Sequence, residues 1–135
     1  DRVHGMARPV NLKNASIDVV RARWPDAYLG RVFADTHKGT VTHLRPPPGT
    51  MPRANEPAAP AHLVFPRWRA GDATALEPLT RGDAFMRAAA CAFNYNLLGR
   101  RGFEALAALV SRSDCWVFEY SDLDEALVRF DGLLA

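Results

Sequence analysis

The eleven residues DTHKGTVTHLR, positions 35 to 45, hold one acid, two histidines, a lysine, an arginine and three threonines around a single glycine. Gly39 lets the backbone turn closely, and Lys38 beside it is a mobile point charge. Thr36 and Thr40 offer hydroxyls, and Asp35 offers a carboxylate. Together these groups can orient a phosphate or a metal-bound phosphate. Arg45 closes the stretch and adds positive charge. An ordinary charged hairpin accounts for the same residues. His37 and His43 can reach one site across such a hairpin, or each can be a solvated or core-edge histidine.

Two other places can hold a ligand. Lys13 and Asn14 stand after an extended segment and before a helical one, where anions are favoured. Arg67 and Arg69 flank Trp68 just beyond the apolar run LVF, and ligands of open α/β sheets gather at such carboxyl ends of strands. A surface arginine stacked on the indole is the plain alternative. The nucleotide and hydrolase signatures G-x-x-x-x-G-K-[ST], G-x-G-x-x-G and G-x-S-x-G do not occur, nor does H-E-x-x-H. The four histidines have no recognised metal spacing, and no metal site is expected.

These residues need elements to position them. RPVNL, 8 to 12, alternates weakly like a strand. NASIDVVRARW reads as a helix capped by Asn14 or Ser16, with Ile17, Val20 and Trp24 at helical spacing and Pro25 as its stop. Residues 29 to 34 and 40 to 45 read as extended, with DTHKG as the turn and Gly39 at positive φ. Residues 46 to 61 hold six prolines and read as a long proline-rich loop, either substrate-facing or a plain connection. HLVFPRW reads as a buried strand ended by Pro66, and ATALEPL as another strand. Thr80 caps a helix through about Leu98, Gly99 and Gly102 punctuate it, and a helix follows over 103 to 112. Asn94 and Tyr95 interrupt the alanine-rich stretch. CWVFEY is a strand, and Ser121 caps a last helix with Leu123, Leu127, Phe130 and Leu134 as its stripe. Strands alternating with helices predict an α/β fold with a mixed sheet and flanking helices, in a single domain over 1–135.

Composition bounds the function. The 135 residues carry a net charge of +2, with 17 basic against 15 acidic residues, so basicity gives no nucleic-acid signal. No apolar run approaches the ~20 residues a membrane helix needs, and the first residues have no apolar core of a secretory signal. They also lack an initiating methionine and read like the middle of a protein, so a fragment or processed chain is expected. Cys91 and Cys115 both lie in apolar settings and read as buried, reduced thiols, which fits a cytoplasmic protein.

RPVNLKNASIDVVR, FADTHKGTVTHLRPP, HLVFPRW, LEPLTRGDAFMRAAACAFNYNLLGRRGFEALAALV and CWVFEYSDLDEAL resemble, in this order, the C-terminal half of the HPr-kinase-related kinase A family. LKNASIDVV, DTHKGTVTHLRPP and FNYNLLG are the more specific pieces. AAACAFNYNLLG is also loosely similar to the Ala-Ala-Asn helix late in bacterial HPr kinase/phosphorylase. The resemblance implies an ATP- and magnesium-dependent kinase of the phosphoenolpyruvate-carboxykinase-like P-loop fold. The acceptor it implies is a serine hydroxyl of a peptide or protein. The implied partners include a small peptide-chaperone protein, since such genes typically sit beside those of peptide-modification systems, and an oligomer is left open.

In that family the Walker A loop and an acidic pair lie upstream of the equivalent of Asp1. These 135 residues lack them, so tight ATP binding by them alone is not expected. Within the resemblance, residue chemistry assigns Lys38 to phosphate charge, and Asp35 and Thr36 to placing metal or acceptor hydroxyl. Lys13, Thr40, Arg45 and Arg67 are the further phosphate- or substrate-binding candidates. A non-catalytic peptide- or partner-binding module of the same fold is the second reading, and a degenerate structural paralogue the third.

Overall fold

The computed structural model describes residues 2–6 and 8–134. It is a mixed α/β protein with antiparallel and mixed sheets and flanking helices. The chain divides into two compact units. One spans Val3–Ala58, and the second takes Ala59 onward together with Arg2.

In the N-terminal unit, β1 (Val3–His4) pairs with β5 (Pro57–Ala58). A three-stranded antiparallel sheet runs in the order β2 (Val10–Lys13), β4 (Gly39–Leu44), β3 (Phe33–Thr36). Helix α1 (Ala15–Arg23) follows β2 directly, and its Ile17 is buried. Thr42 is 0% exposed. Its hydroxyl donates to Gly30 O at 2.9 Å, so a polar side chain sits in the core with its proton satisfied. Residues 46 to 61 hold more order than their prolines predict. Thr50–Arg53 form one helical turn, α2, and Pro57–Ala58 form β5. Pro52 is tolerated because the first residues of a helix have no intrahelical N–H partner to lose.

The C-terminal unit holds β6 (His62–Trp68), β7 (Ala75–Pro78), α3 (Arg81–Cys91), α4 (Tyr95–Leu98), α5 (Arg100–Arg112), β8 (Asp114–Tyr120) and α6 (Leu123–Leu134). Central β8 pairs parallel with β6 and antiparallel with β7. Alternation along β8 sends Cys115 to one face, where it packs with Ala84 of α3 and Val110 of α5. Phe118 points to the other face and meets Phe130 of α6 edge-on at 5.0 Å. Helices therefore cover both faces of this sheet.

Several sequence expectations change here. Pro66 does not end β6, which runs on to Trp68. β6 is an edge strand, so a proline fits wherever its nitrogen faces outward. For the same reason Leu63, Val64 and Phe65 are half-buried rather than buried. The helix after Thr80 stops at Cys91, because Ala92 is extended, and Tyr95–Leu98 form a separate turn. Helix α5 begins at Arg100, before the expected 103, with Gly99 at φ 52° as its entry. Asp122, not Ser121, caps α6: its Oδ1 accepts from Glu125 N at 2.9 Å, while the Ser121 hydroxyl donates to Asp72 O. Cys91 is exposed, and only Cys115 is buried.

Candidate functional site

The hairpin foreseen at DTHKGTVTHLR is present, and its tip is built in detail. Phe33 opposes Val41 and Thr36 opposes Gly39, so β3 carries one more residue than β4 between these pairs. That extra residue makes a β-bulge, and Asp35 takes a φ of 55° there. Aspartate tolerates the left-handed region better than most side chains. His37 and Lys38 form the turn, and Gly39 at φ 81° re-enters the strand. The Thr36 hydroxyl donates to Gly39 O at 2.6 Å and accepts from Lys38 N at 3.1 Å. Its single proton is committed to holding the turn.

Asn14 ties this tip to the end of β2. It occupies the residue before α1 but makes no side-chain cap there. Instead its Oδ1 accepts from Thr40 N at 3.0 Å, and its own N–H donates to Thr40 O at 2.9 Å. Ser16 works locally, donating to Lys13 O and accepting from Lys13 N. Since Lys13 opposes Val41, one end of the sheet gathers Lys13, Asp35, Thr36, Lys38 and Thr40. Lys38 is exposed, and among the described residues no ion pair engages it.

Beside this end a cleft of about 190 Å³ is lined by Asn14, Ile17, Asp18, Arg21, Val32 and Thr40. Small-molecule sites usually enclose roughly 300–1,000 Å³. The cleft fits a phosphate-sized group and not a whole nucleotide.

Two candidates lie elsewhere. Arg45 follows the far end of β4, about 20 Å of strand from Lys38. There its N–H donates to Tyr28 O, and its guanidinium lies 6.0 Å from the Tyr28 ring. Positive charge from Arg45 is therefore not added to the hairpin tip. Arg67 belongs to the C-terminal unit, where it opposes Glu119 in register and pairs with it at 3.7 Å. Arg69 reaches the same carboxylate oxygen at 3.5 Å and Asp72 at 3.9 Å. Two guanidiniums and two carboxylates leave that cluster neutral.

His43 lies four residues along β4 from Gly39, about 13 Å of strand, so it shares no site with His37. Among the described residues no three His, Cys, Asp or Glu side chains stand together as a metal site. Among them, too, no helix is long and apolar enough to cross a membrane. The link between Asn14 and the tip escapes sequence reasoning. An asparagine before a helix looks like a cap, and only its hydrogen bond from Thr40 N, next to a glycine at positive φ, distinguishes the two roles. No family model matches the chain, and no curated protein or solved structure matches it either.

Proposed function

We propose that this chain is the C-terminal part of an ATP- and magnesium-dependent serine kinase related to HPr kinase, acting on a peptide or protein. On this reading its fold is the C-terminal portion of a phosphoenolpyruvate-carboxykinase-like P-loop kinase. The family resemblance of the quoted segments motivates it. One observation carries it: an exposed Lys38, in no ion pair among the described residues, stands on a turn whose backbone is pinned by Thr36 and Asn14. A cation carried on a turn of fixed backbone can stabilise charge that develops on a transferring phosphoryl group. Asp35 beside it would place metal or acceptor hydroxyl. Lys13 and Thr40, at the same end, would hold phosphate.

The 135 residues contain no Walker A sequence to cradle the triphosphate. Transfer is therefore expected only from a longer chain that carries these residues together with a P-loop. In such a chain, Lys38→Ala should slow phosphoryl transfer by ~10²–10³ with the fold retained by circular dichroism. Near-wild-type turnover from a folded variant would sink the reading. Calorimetry should find weak or no magnesium–ATP binding by the 135 residues alone, and micromolar affinity would contradict it.

A second reading, a non-catalytic peptide- or partner-binding module, draws on a different feature. In the N-terminal unit a groove of about 860 Å³ is lined by His4, Met6, Arg53, Glu56 and Pro57 among others. That volume suits a bound side-chain cluster or short peptide. Peptide binding by these residues, without transfer even in a longer chain that adds a P-loop, would favour this module.

A further inference from the structure

The head of the β6–β8 pair places three groups with incompatible demands on one nitrogen. His62 opposes Asp114 in register, and Trp116 follows two residues on, on the same face of the sheet. The Trp116 indole Nε1–H donates to His62 Nδ1 across 3.4 Å. The Asp114 carboxylate lies 4.0 Å from that same Nδ1. An indole N–H only donates, so Nδ1 must accept and carry no proton. A carboxylate only accepts, so an ion pair needs that nitrogen protonated. One ring nitrogen can satisfy one partner at a time.

We propose that His62 is a protonation-controlled latch at the start of the parallel β6–β8 pair. Neutral His62 holds the Trp116 indole. When Nδ1 takes a proton from solvent, that proton turns toward the Asp114 carboxylate and the indole is released. The His62 side chain is 24% exposed, so solvent protons reach it, and Asp114 is 75% exposed, so the carboxylate can adjust to meet it. Other charges flank this end. Arg112 closes α5 just before β8, Arg81 opens α3 on the opposite face of the sheet, and Cys115 points to that opposite face. On the latch's own face the covering helix α6 carries Arg129 and Asp131 in its last turns. Asp114 is the charged group in direct reach of the imidazole, so it is the partner a protonated Nδ1 can turn to.

The test is nitrogen–proton NMR of the whole, isotopically labelled 135-residue chain, with Trp116→Phe identifying the indole resonance among three tryptophans. At about pH 8 the neutral His62 should be the Nε2–H tautomer. Over the window in which an imidazole changes charge, about pH 8 to 5, the Trp116 indole proton should shift upfield and exchange faster with solvent. Its midpoint should coincide with that of the His62 ring nitrogens. His62→Gln should abolish the indole transition. An Nδ1–H tautomer at high pH would overturn the proposal. So would an indole resonance that does not follow His62. Both readings are made on the wild-type chain, and if Trp116→Phe does not fold, through-space contacts between the indole proton and the His62 ring assign the resonance instead.

Discussion

The carboxamide oxygen of Asn14 occupies the space in which a Cβ on Gly39 would stand. Gly39 is therefore required twice, once for its φ of 81° and once for this contact. Both demands come from the same joint, which ties the end of β2 to the hairpin tip. Gly39→Ala should destabilise the N-terminal unit by about 1–3 kcal/mol, since left-handed backbone and steric conflict act together. Asn14→Ala removes the obstruction but also the hydrogen bond from Thr40 N, at about 1 kcal/mol. Combined, the two substitutions should cost less than the sum of each alone. Urea denaturation of the four chains checks this, and strict additivity would separate Gly39 from Asn14.

Thr36 and Lys38 are neighbours with opposite roles. Thr36→Val removes a donor to Gly39 O and an acceptor for Lys38 N, so it should lose about 1–2 kcal/mol. Lys38→Ala removes an exposed side chain and should change stability by less than about 0.5 kcal/mol. Equal losses for both in thermal or urea melts would mean that Lys38 is a structural residue, and the phosphate reading would lose its basis.

The hairpin was readable because apolar alternation and a glycine beside polar residues carry the signal locally. The cap at Thr80 was readable for the same reason, and its hydroxyl does accept from Asp83 N at 3.1 Å. What failed was set by partners distant in sequence. The alanine-rich run before Asn94 and Tyr95 reads as continuing helix, yet the chain turns at Ala92 so that Tyr95–Leu98 can lie against α5. Pro66 looked like a stop because nothing local reveals that β6 lies at a sheet edge. Arg45 looked close to Lys38 because both lie in one short stretch, but a strand separates its ends by its whole length. Glu119, which draws in Arg67 and Arg69, lies far along the chain from both.

The two cysteines should differ sharply toward thiol reagents. Cys91 is exposed on α3, whereas Cys115 is buried against Ala84 and Val110. Burial pushes the Cys115 thiol above its ordinary value of 9.0, Asp114 adds to this, and Arg81 opposes it. Thiolate is the reactive form, so the native chain should take up one equivalent of reagent quickly and the second only on unfolding. The unfolded thiol ionises at its ordinary value while the folded one stays protonated. Any contribution to stability is therefore complete below 9.0 and declines as pH rises above it. Two equally fast thiols in the native chain would contradict the packing of Cys115.

Gly102 sits inside α5, where alanine would ordinarily raise helix stability by about 1 kcal/mol. Its surroundings oppose that gain. A Cβ there would lie 3.0 Å from the Tyr95 carbonyl oxygen and 3.2 Å from the Leu98 Cβ. Both neighbours belong to α4, a single turn that meets α5 at this point. A backbone oxygen cannot swing aside like a flexible side chain, so relief requires α4 to shift. Overpacking of this kind costs about 1–3 kcal/mol, which exceeds the propensity gain. Gly102→Ala should therefore lower stability by about 1 kcal/mol and speed amide exchange in residues 95 to 98. A melt at or above the wild-type temperature would mean that α4 yields freely, and that its contact with α5 does not fix the break after Cys91.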